Sequence, residues 1–436
     1  MKSFFGRTDK SALARSHQST GLKFAGTLAL LLGTASFQSA LTQAQAVQSS
    51  ARPNAAVENK QTENKQTAPA SVMDDWQSQP VTLPVQASQI GLSQDGQRAI
   101  AVTSLLTNPP SNRLSNAGGC LEVWNTQMKE RLLSVPADDN TQFEATAISN
   151  DGAKVAAIVQ HRDHTLSLWI WEIASDQPPI RTSLNQSLAD ESAVSSPPSF
   201  ARLLTEVAFS PDAMKIATNV KPLTDQNTAN EGPVLQLHSA TTGDVLHTLS
   251  PTAGAQIEQI VFSPDGEQLA GAGRINRGSA TGLAESPAVV NIWQTRDGQL
   301  VSSFSPDDAI ANNGIPNAFG YVAAVAFTPR GELRTLSNLN LTSNQLITWD
   351  FSTPAALQVQ TLPEVDRQDF IHVLSPDGLY HFMRGDVAGT RLLNTQTLAV
   401  TQIDEVVREA AFSADGNYLA IATPNNVQIF SRHSRQ

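Results

Sequence analysis

Residues that could do chemistry are sparse in this chain of 436 amino acids. The densest group is His161-Arg162-Asp163-His164. Two imidazoles and a carboxylate so close together suit zinc or a similar ion. A site also needs a third ligand, and His238, His247, His372, His381 and His433 do not share this spacing. We therefore read the segment as a solvated turn. Cys120 is the only cysteine. It opens a strand-like Cys-Leu-Glu-Val run with no histidine partner evident from spacing, which predicts core packing rather than a nucleophile. The chain has no Gly-x-Ser-x-Gly elbow, no His-Glu-x-x-His pair and no phosphate-cradling glycine loop. No catalytic residue, cofactor or metal ligand is assigned. The remaining candidates are recognition residues: Asn112, Arg113, Asn116, Arg274 and Arg277, with Phe200, Phe319 and Tyr321 as aromatic anchors. Arginine and aromatic side chains dominate binding hot spots, although Phe200 and Tyr321 would serve equally as covers for the mouth of a barrel-like ring.

The elements that position these residues repeat. Seven turns recur: Ser93-Gln-Asp-Gly96, Ser149-Asn-Asp-Gly152, Ser210-Pro-Asp-Ala213, Ser263-Pro-Asp-Gly266, Thr328-Pro-Arg-Gly331, Ser375-Pro-Asp-Gly378 and Ser413-Ala-Asp-Gly416. A hydroxyl opens each, proline often follows, and glycine usually closes it where φ must turn positive. Short alternating apolar runs flank every turn, such as Val207-Ala-Phe209 and Lys215-Ile-Ala217, so each unit begins as a hairpin. A third run follows and ends on an aromatic or its substitute: Leu121–Trp124, Leu168–Trp171, Leu235–His238, Val290–Trp293, Leu346–Trp349, Thr390–Leu393 and Val427–Phe430. A second turn and a fourth, amphipathic strand come after most of these, as at Val245–Leu249.

Four strands repeated seven times, with Ser-Pro-Asp-Gly turns and a Trp-ended third strand, resemble the WD40-repeat family over residues 79 to 433. The resemblance implies an all-β, seven-bladed propeller of four-stranded antiparallel blades. The chain departs from the family pattern: only Trp349-Asp350 has the full dipeptide, no Gly-His pair precedes the blades, and the turns average about 53 residues apart against the usual 40–45. The family's Asp/His/Ser/Trp hydrogen-bond network should therefore be mostly missing. The last repeat lacks a fourth strand, and Gln79-Pro-Val-Thr-Leu-Pro-Val85 is the expected substitute, its prolines suiting an edge and its pairing closing the ring.

Upstream, residues 1–46 read as a secretory signal: a basic leader, an apolar Phe24–Phe37 run and Ala44-Gln45-Ala46. That run is short of the about 20 residues a membrane helix needs. An uncleaved anchor is the alternative. Residues 47–78, with a duplicated Glu-Asn-Lys-Gln-Thr, read as a disordered linker. Removing residues 1–46 takes five basic and one acidic residue from totals of 29 and 40, leaving a net charge of −15. That balance argues against nucleic acid and against membrane insertion once the signal is gone.

The surplus length lies in connections between second and third strands, at Leu105–Gly119, Lys221–Gly232 and Gly273–Pro287. Further surplus lies between blades, at Asn185–Ala201 and Ser305–Gly320. In an up-and-down blade both kinds open on one face. The expectation is a monomeric, exported, periplasmic or extracellular scaffold that binds a protein partner through that face. A propeller enzyme or small-ligand binder of lactonase or quinone-dependent dehydrogenase type, working through the central channel, is the alternative. A glycan binder with exposed aromatics on the loop face is the third reading.

Overall fold

Small-residue strands between tight turns cannot bury both of their faces alone, so the blades stack on one another around a ring. The structure, a computed structural model, describes residues 72–77, 79–103, 119–138, 140–163, 165–187, 205–220, 234–275, 287–314, 320–339, 343–350, 355–362, 369–385 and 389–433. After β1 (Val81–Leu83), blade I comprises β2 (Gln89–Leu92), β3 (Arg98–Thr103), β4 (Cys120–Asn125) and β5 (Glu130–Pro136). Blade II comprises β6 (Thr141–Ile148), β7 (Lys154–His161), β8 (Thr165–Glu172) and β9 (Ile180–Ser187). Blade III comprises β10 (Thr205–Phe209), β11 (Lys215–Val220), β12 (Val234–Ser239) and β13 (Val245–Leu249). Blade IV comprises β14 (Ala255–Phe262), β15 (Gln268–Ile275), β16 (Ala288–Gln294) and β17 (Leu300–Phe304). Blade V comprises β18 (Gly320–Phe327), β19 (Leu333–Leu339), β20 (Ser343–Asp350) and β21 (Ala355–Thr361). Blade VI comprises β22 (Asp369–Leu374), β23 (Tyr380–Gly385), β24 (Gly389–Asn394) and β25 (Val400–Ile403). Blade VII comprises β26 (Glu409–Phe412), β27 (Tyr418–Ala422), β28 (Val427–Ser431) and, as its outer strand, β1.

All pairing within blades is antiparallel, and the first strands touch in sequence around a closed ring, β26 returning to β2. The buried apolar side chains fall into clusters that each lie between two blades. Leu121, Phe143 and Trp171 join I to II, and Leu237, Ile257 and Trp293 join III to IV.

The expected closure is present: Val81, Thr82 and Leu83 pair with Ile429, Gln428 and Val427. A second clasp lies upstream, where the sequence pattern shows no repeat. Val72–Asp75 forms a 3-10 turn, and Trp76 bridges Arg432 and is 1% exposed. The indole meets the Tyr380 ring edge-on at 5.2 Å. The Asp75 carboxylate accepts the Tyr380 hydroxyl at 2.6 Å, and its carbonyl accepts the His433 N–H at 2.9 Å. Residues 72–77 thus pack on the propeller, ahead of position 79 where the repeat pattern begins, because one large aromatic buries enough surface to order a short polar segment.

The turns share one hydrogen-bond scheme. In Ser263–Gly266 the hydroxyl donates to Asp265 at 2.6 Å and accepts the Gln268 N–H at 2.9 Å, while Asp265 accepts the Glu267 N–H at 3.0 Å. Thr328-Pro-Arg-Gly331 has no carboxylate and closes one residue sooner, Thr328 N–H donating to the Glu332 carbonyl rather than to a residue five on. Thr126, Thr295 and Thr395 then lock the second turn to the first, each hydroxyl donating at 2.7 Å to Gly96, Gly266 or Gly378. Two buried side-chain bonds link second to third strands. Trp349 Nε1 donates to Thr335 at 2.8 Å, and His238 substitutes for tryptophan beside Thr218 at 3.1 Å.

One element was not read from the sequence. The blade IV–V connection contains α1 (Pro306–Asn312), with proline at its start and Asp307 and Asp308 in its first turn. These are helix-start signals that the reading of an inserted loop passed over. Ile310 buries the helix against blades IV and V.

Ala213 occupies the closing turn position at φ 57°, where the other repeats have glycine. Ala213→Gly should raise stability by about 0.5–1 kcal/mol, since relief of left-handed strain exceeds the entropic cost; urea unfolding reads this as a higher midpoint with an unchanged slope. Trp76→Ala should cost about 3–5 kcal/mol by leaving a cavity, seen as a lower melting temperature.

Candidate functional site

Antiparallel register puts the ends of second and fourth strands, and the starts of first and third strands, on one face, opposite the Ser-Asp turns. The long connections open there. Asn112, Arg113, Asn116, Phe200, Arg277 and Phe319 lie outside the described residues. Arg274 and Tyr321 are described, and both are tied into the scaffold. Arg274, at the end of β15, makes an ion pair with Glu258 at 2.7 Å. Tyr321, near the start of β18 opposite Asn338, packs on the apolar cluster between blades V and VI.

The histidine-rich turn is committed locally. His161 Nε2 lies 2.7 Å from the Ser167 hydroxyl, and Asp163 accepts both the hydroxyl and the N–H of Thr165. Those bonds hold the exposed Asp163 carboxyl below its usual range. Cys120 departs from its expected place in the core: it is half-buried at the start of β4, its Sγ 3.3 Å from the Ser134 hydroxyl. Strand alternation gives the buried face to Leu121 instead, which is 0% exposed.

The functional geometry that sequence reasoning missed lies at the inner strands. Four positions before each turn hydroxyl, a polar side chain can cross to the next blade. Gln89 donates to the Glu144 carbonyl at 2.9 Å, and Gln259 donates to Ala323 and accepts from Val325. In blade III this position is Glu206, whose Oε2 accepts the Ile260 N–H at 2.6 Å. The receiving strands are bulged, and a bulge leaves backbone groups without ladder partners. Glu258 occupies the bulge of β14. Asn219, directly opposite Glu206 on β11, donates Nδ2 to the Ile257 carbonyl at 3.0 Å. Glu206, Asn219, Glu258 and Arg274 therefore form one polar cluster between blades III and IV. Burial, with a smaller push from Glu258 and opposed by the Ile260 bond, raises the Glu206 carboxyl to about 8. A glutamate where blades II, V and VI place Ala145, Ala324 and Ile371, shared with Glu409 of blade VII, was the available signal.

Farther out, Asp307 of α1 accepts the Ala288 N–H at 2.9 Å and so fixes the chain as it re-enters β16. Its burial raises that carboxyl to about 6. His372 and His381 stack in blade VI with nitrogens 3.0 Å apart, and burial drives His381 well below its ordinary range. Among the described residues, no group of three or more His, Cys, Asp or Glu gathers as a metal would require. No helix there is long and apolar enough to cross a membrane.

No family model matches the chain, and no curated protein matches it. Among solved structures it is similar to Kuenenia stuttgartiensis hydrazine synthase, with a TM-score of 0.52 and 14% identity over 81% of this chain and 97% of that one. A likeness at that identity carries the fold alone.

The Glu206 carboxyl gives the stability a pH dependence. The folded state holds a proton that the unfolded chain releases near 4.5. Its contribution is therefore complete below that value and is lost as pH rises through about 8. Glu206→Gln should lack this loss, so urea unfolding should show the variant gaining on the parent from about pH 5 to 9. A pH-independent difference would place the proton elsewhere.

Proposed function

We propose that this chain is a non-catalytic, exported binding platform, a divergent WD40-like propeller that engages a protein partner through its loop-bearing face. The observation that carries the reading is the asymmetry of the strand connections. On one face the connections between first and second strands are all short turns opened by serine or threonine, three of them clasped by a threonine of the second turn. On the other, the chain runs from Thr103 to Cys120, Val220 to Val234 and Ile275 to Ala288 between paired strands. Long connections on a rigid ring can vary without disturbing the core.

The alternative, a channel enzyme or small-ligand binder, would be favoured by converging carboxylates and imidazoles. The described inner strands gather Glu206 and Glu258, but Glu258 is paired with Arg274 and no imidazole joins them in the bonds of that cluster. Export is supported by the leader, the apolar run and the Ala-x-Ala pattern of residues 1–46.

The test compares the full-length chain with a variant whose connections 105–118, 221–232 and 276–286 are cut to tight turns. A partner captured from envelope extract, then purified, should bind the intact chain and lose binding to the trimmed one, with melting temperatures equal. Capture unchanged by trimming would sink the reading.

A further inference from the structure

We propose that the junction of blades III and IV on the loop-bearing face receives one primary ammonium group, held between the Glu206 carboxylate and the Asn219 side-chain carbonyl. The proposal rests on the binding-platform reading only in taking a partner's lysine, rather than a free amine, as the source of that group.

The placement follows from register. Glu206 and Asn219 are direct cross-strand partners on β10 and β11, so their side chains leave the same face of the blade. Both reach β14, Glu206 to the Ile260 N–H and Asn219 to the Ile257 carbonyl, on either side of the bulge that carries Glu258. Asn219 is 0% exposed, and its Oδ1 has no hydrogen-bond partner among the described residues. A wholly buried acceptor left open is costly, and the partner that satisfies it must be a donor. Glu206 itself is half-buried.

Charge selects among donors. Arg274 already neutralises Glu258 at 2.7 Å, which leaves Glu206 as the one carboxyl without a counter-charge. Burial, with a smaller push from Glu258, lets Glu206 retain a proton up to about pH 8. A ligand with a single positive charge can replace that proton and keep the junction neutral, whereas a divalent ion would leave an excess charge in a half-buried place. The donor count selects further. An ammonium offers three N–H donors and no acceptor, matching the two acceptors that this cross-strand pair carries. A guanidinium prefers both carboxylate oxygens open, and here Oε2 is held by Ile260. Among charged groups on the strands around β10, Lys154 and Lys215 start β7 and β11 at the opposite face, and Glu144 sits on β6. His161, at the end of β7, is engaged with Ser167. The charge acting on Glu206 is that of Glu258.

The experiment titrates the full-length chain, by NMR and by thermal shift, with Nα-acetyl-lysine amide, methylammonium and the uncharged norleucine amide. Saturable binding of the ammonium compounds is expected at about pH 8.5, weakening by about tenfold or more at about pH 6.5 as Glu206 takes up its proton. Glu206→Gln, which imitates the protonated side chain and should fold, is expected to abolish binding at both pH values; its melting curve confirms the fold. Tighter binding of the lysine amide than of methylammonium assigns the site to a polypeptide, and equal binding assigns it to a free amine. Absence of saturable binding overturns the proposal, as does norleucine amide binding as well as lysine amide, or Glu206→Gln binding as the parent does.

Discussion

A blade of this protein has two apolar faces, and only its neighbours can cover them. Every other feature of the structure depends on that constraint. Leu121, Leu235, Val290 and Leu392 are completely buried although each lies in a four-stranded sheet, because each interface is filled from two blades at once. Such a ring has no stable open form: an unpaired blade would expose an apolar face and a strand edge together. Closure is therefore made twice, by β1 on β28 and by the Asp75–Trp76 clasp on Tyr380 and Arg432.

The polar groups are arranged to let those faces meet. On the tight-turn face, Arg98 donates to the Gly152 carbonyl and Lys154 to that of Ala213, each reaching from one blade into the turn of the next. On the inner strands, Gln89, Glu206 and Gln259 satisfy backbone groups that bulges leave exposed in the following blade. A buried polar group without a partner costs about 1–3 kcal/mol, so these crossings remove penalties that packing alone would incur. The uncharged Gln89 and Gln259 do so without taking a charge out of water. Glu206 makes the same kind of contact as an ionisable group, and a shifted carboxyl beside an open amide oxygen results.

The two faces divide the work. The Ser-Asp turns, locked by Thr126, Thr295 and Thr395, hold the strands in register. The opposite face carries the variable connections and α1, whose Asp307 pins the start of β16. Rigidity on one side is what allows length on the other.

The seven turns, the four-strand repeat, the aromatic-ended third strands and the closing strand were all legible in the sequence, because each is local: period, turn chemistry and proline placement are read within about ten residues. The positive-φ turn closures were legible for the same reason. The Trp76 clasp, the half-exposed Cys120 and the junction of Glu206 with Asn219 and Glu258 were not. Trp76 meets Tyr380 and Arg432 from the far end of the chain, and Cys120 faces outward through strand register. Glu206 reads as one more strand residue until the ring sets it against a bulge in the next blade. Such contacts depend on which blades become neighbours and on a one-residue offset between their strands. The sequence by itself determined the repeat and its turns; the stacking of each blade on the next, and the closing of the ring, decided which polar side chains would share a buried space, because only tertiary packing brings residues so far apart in the chain within hydrogen-bond reach.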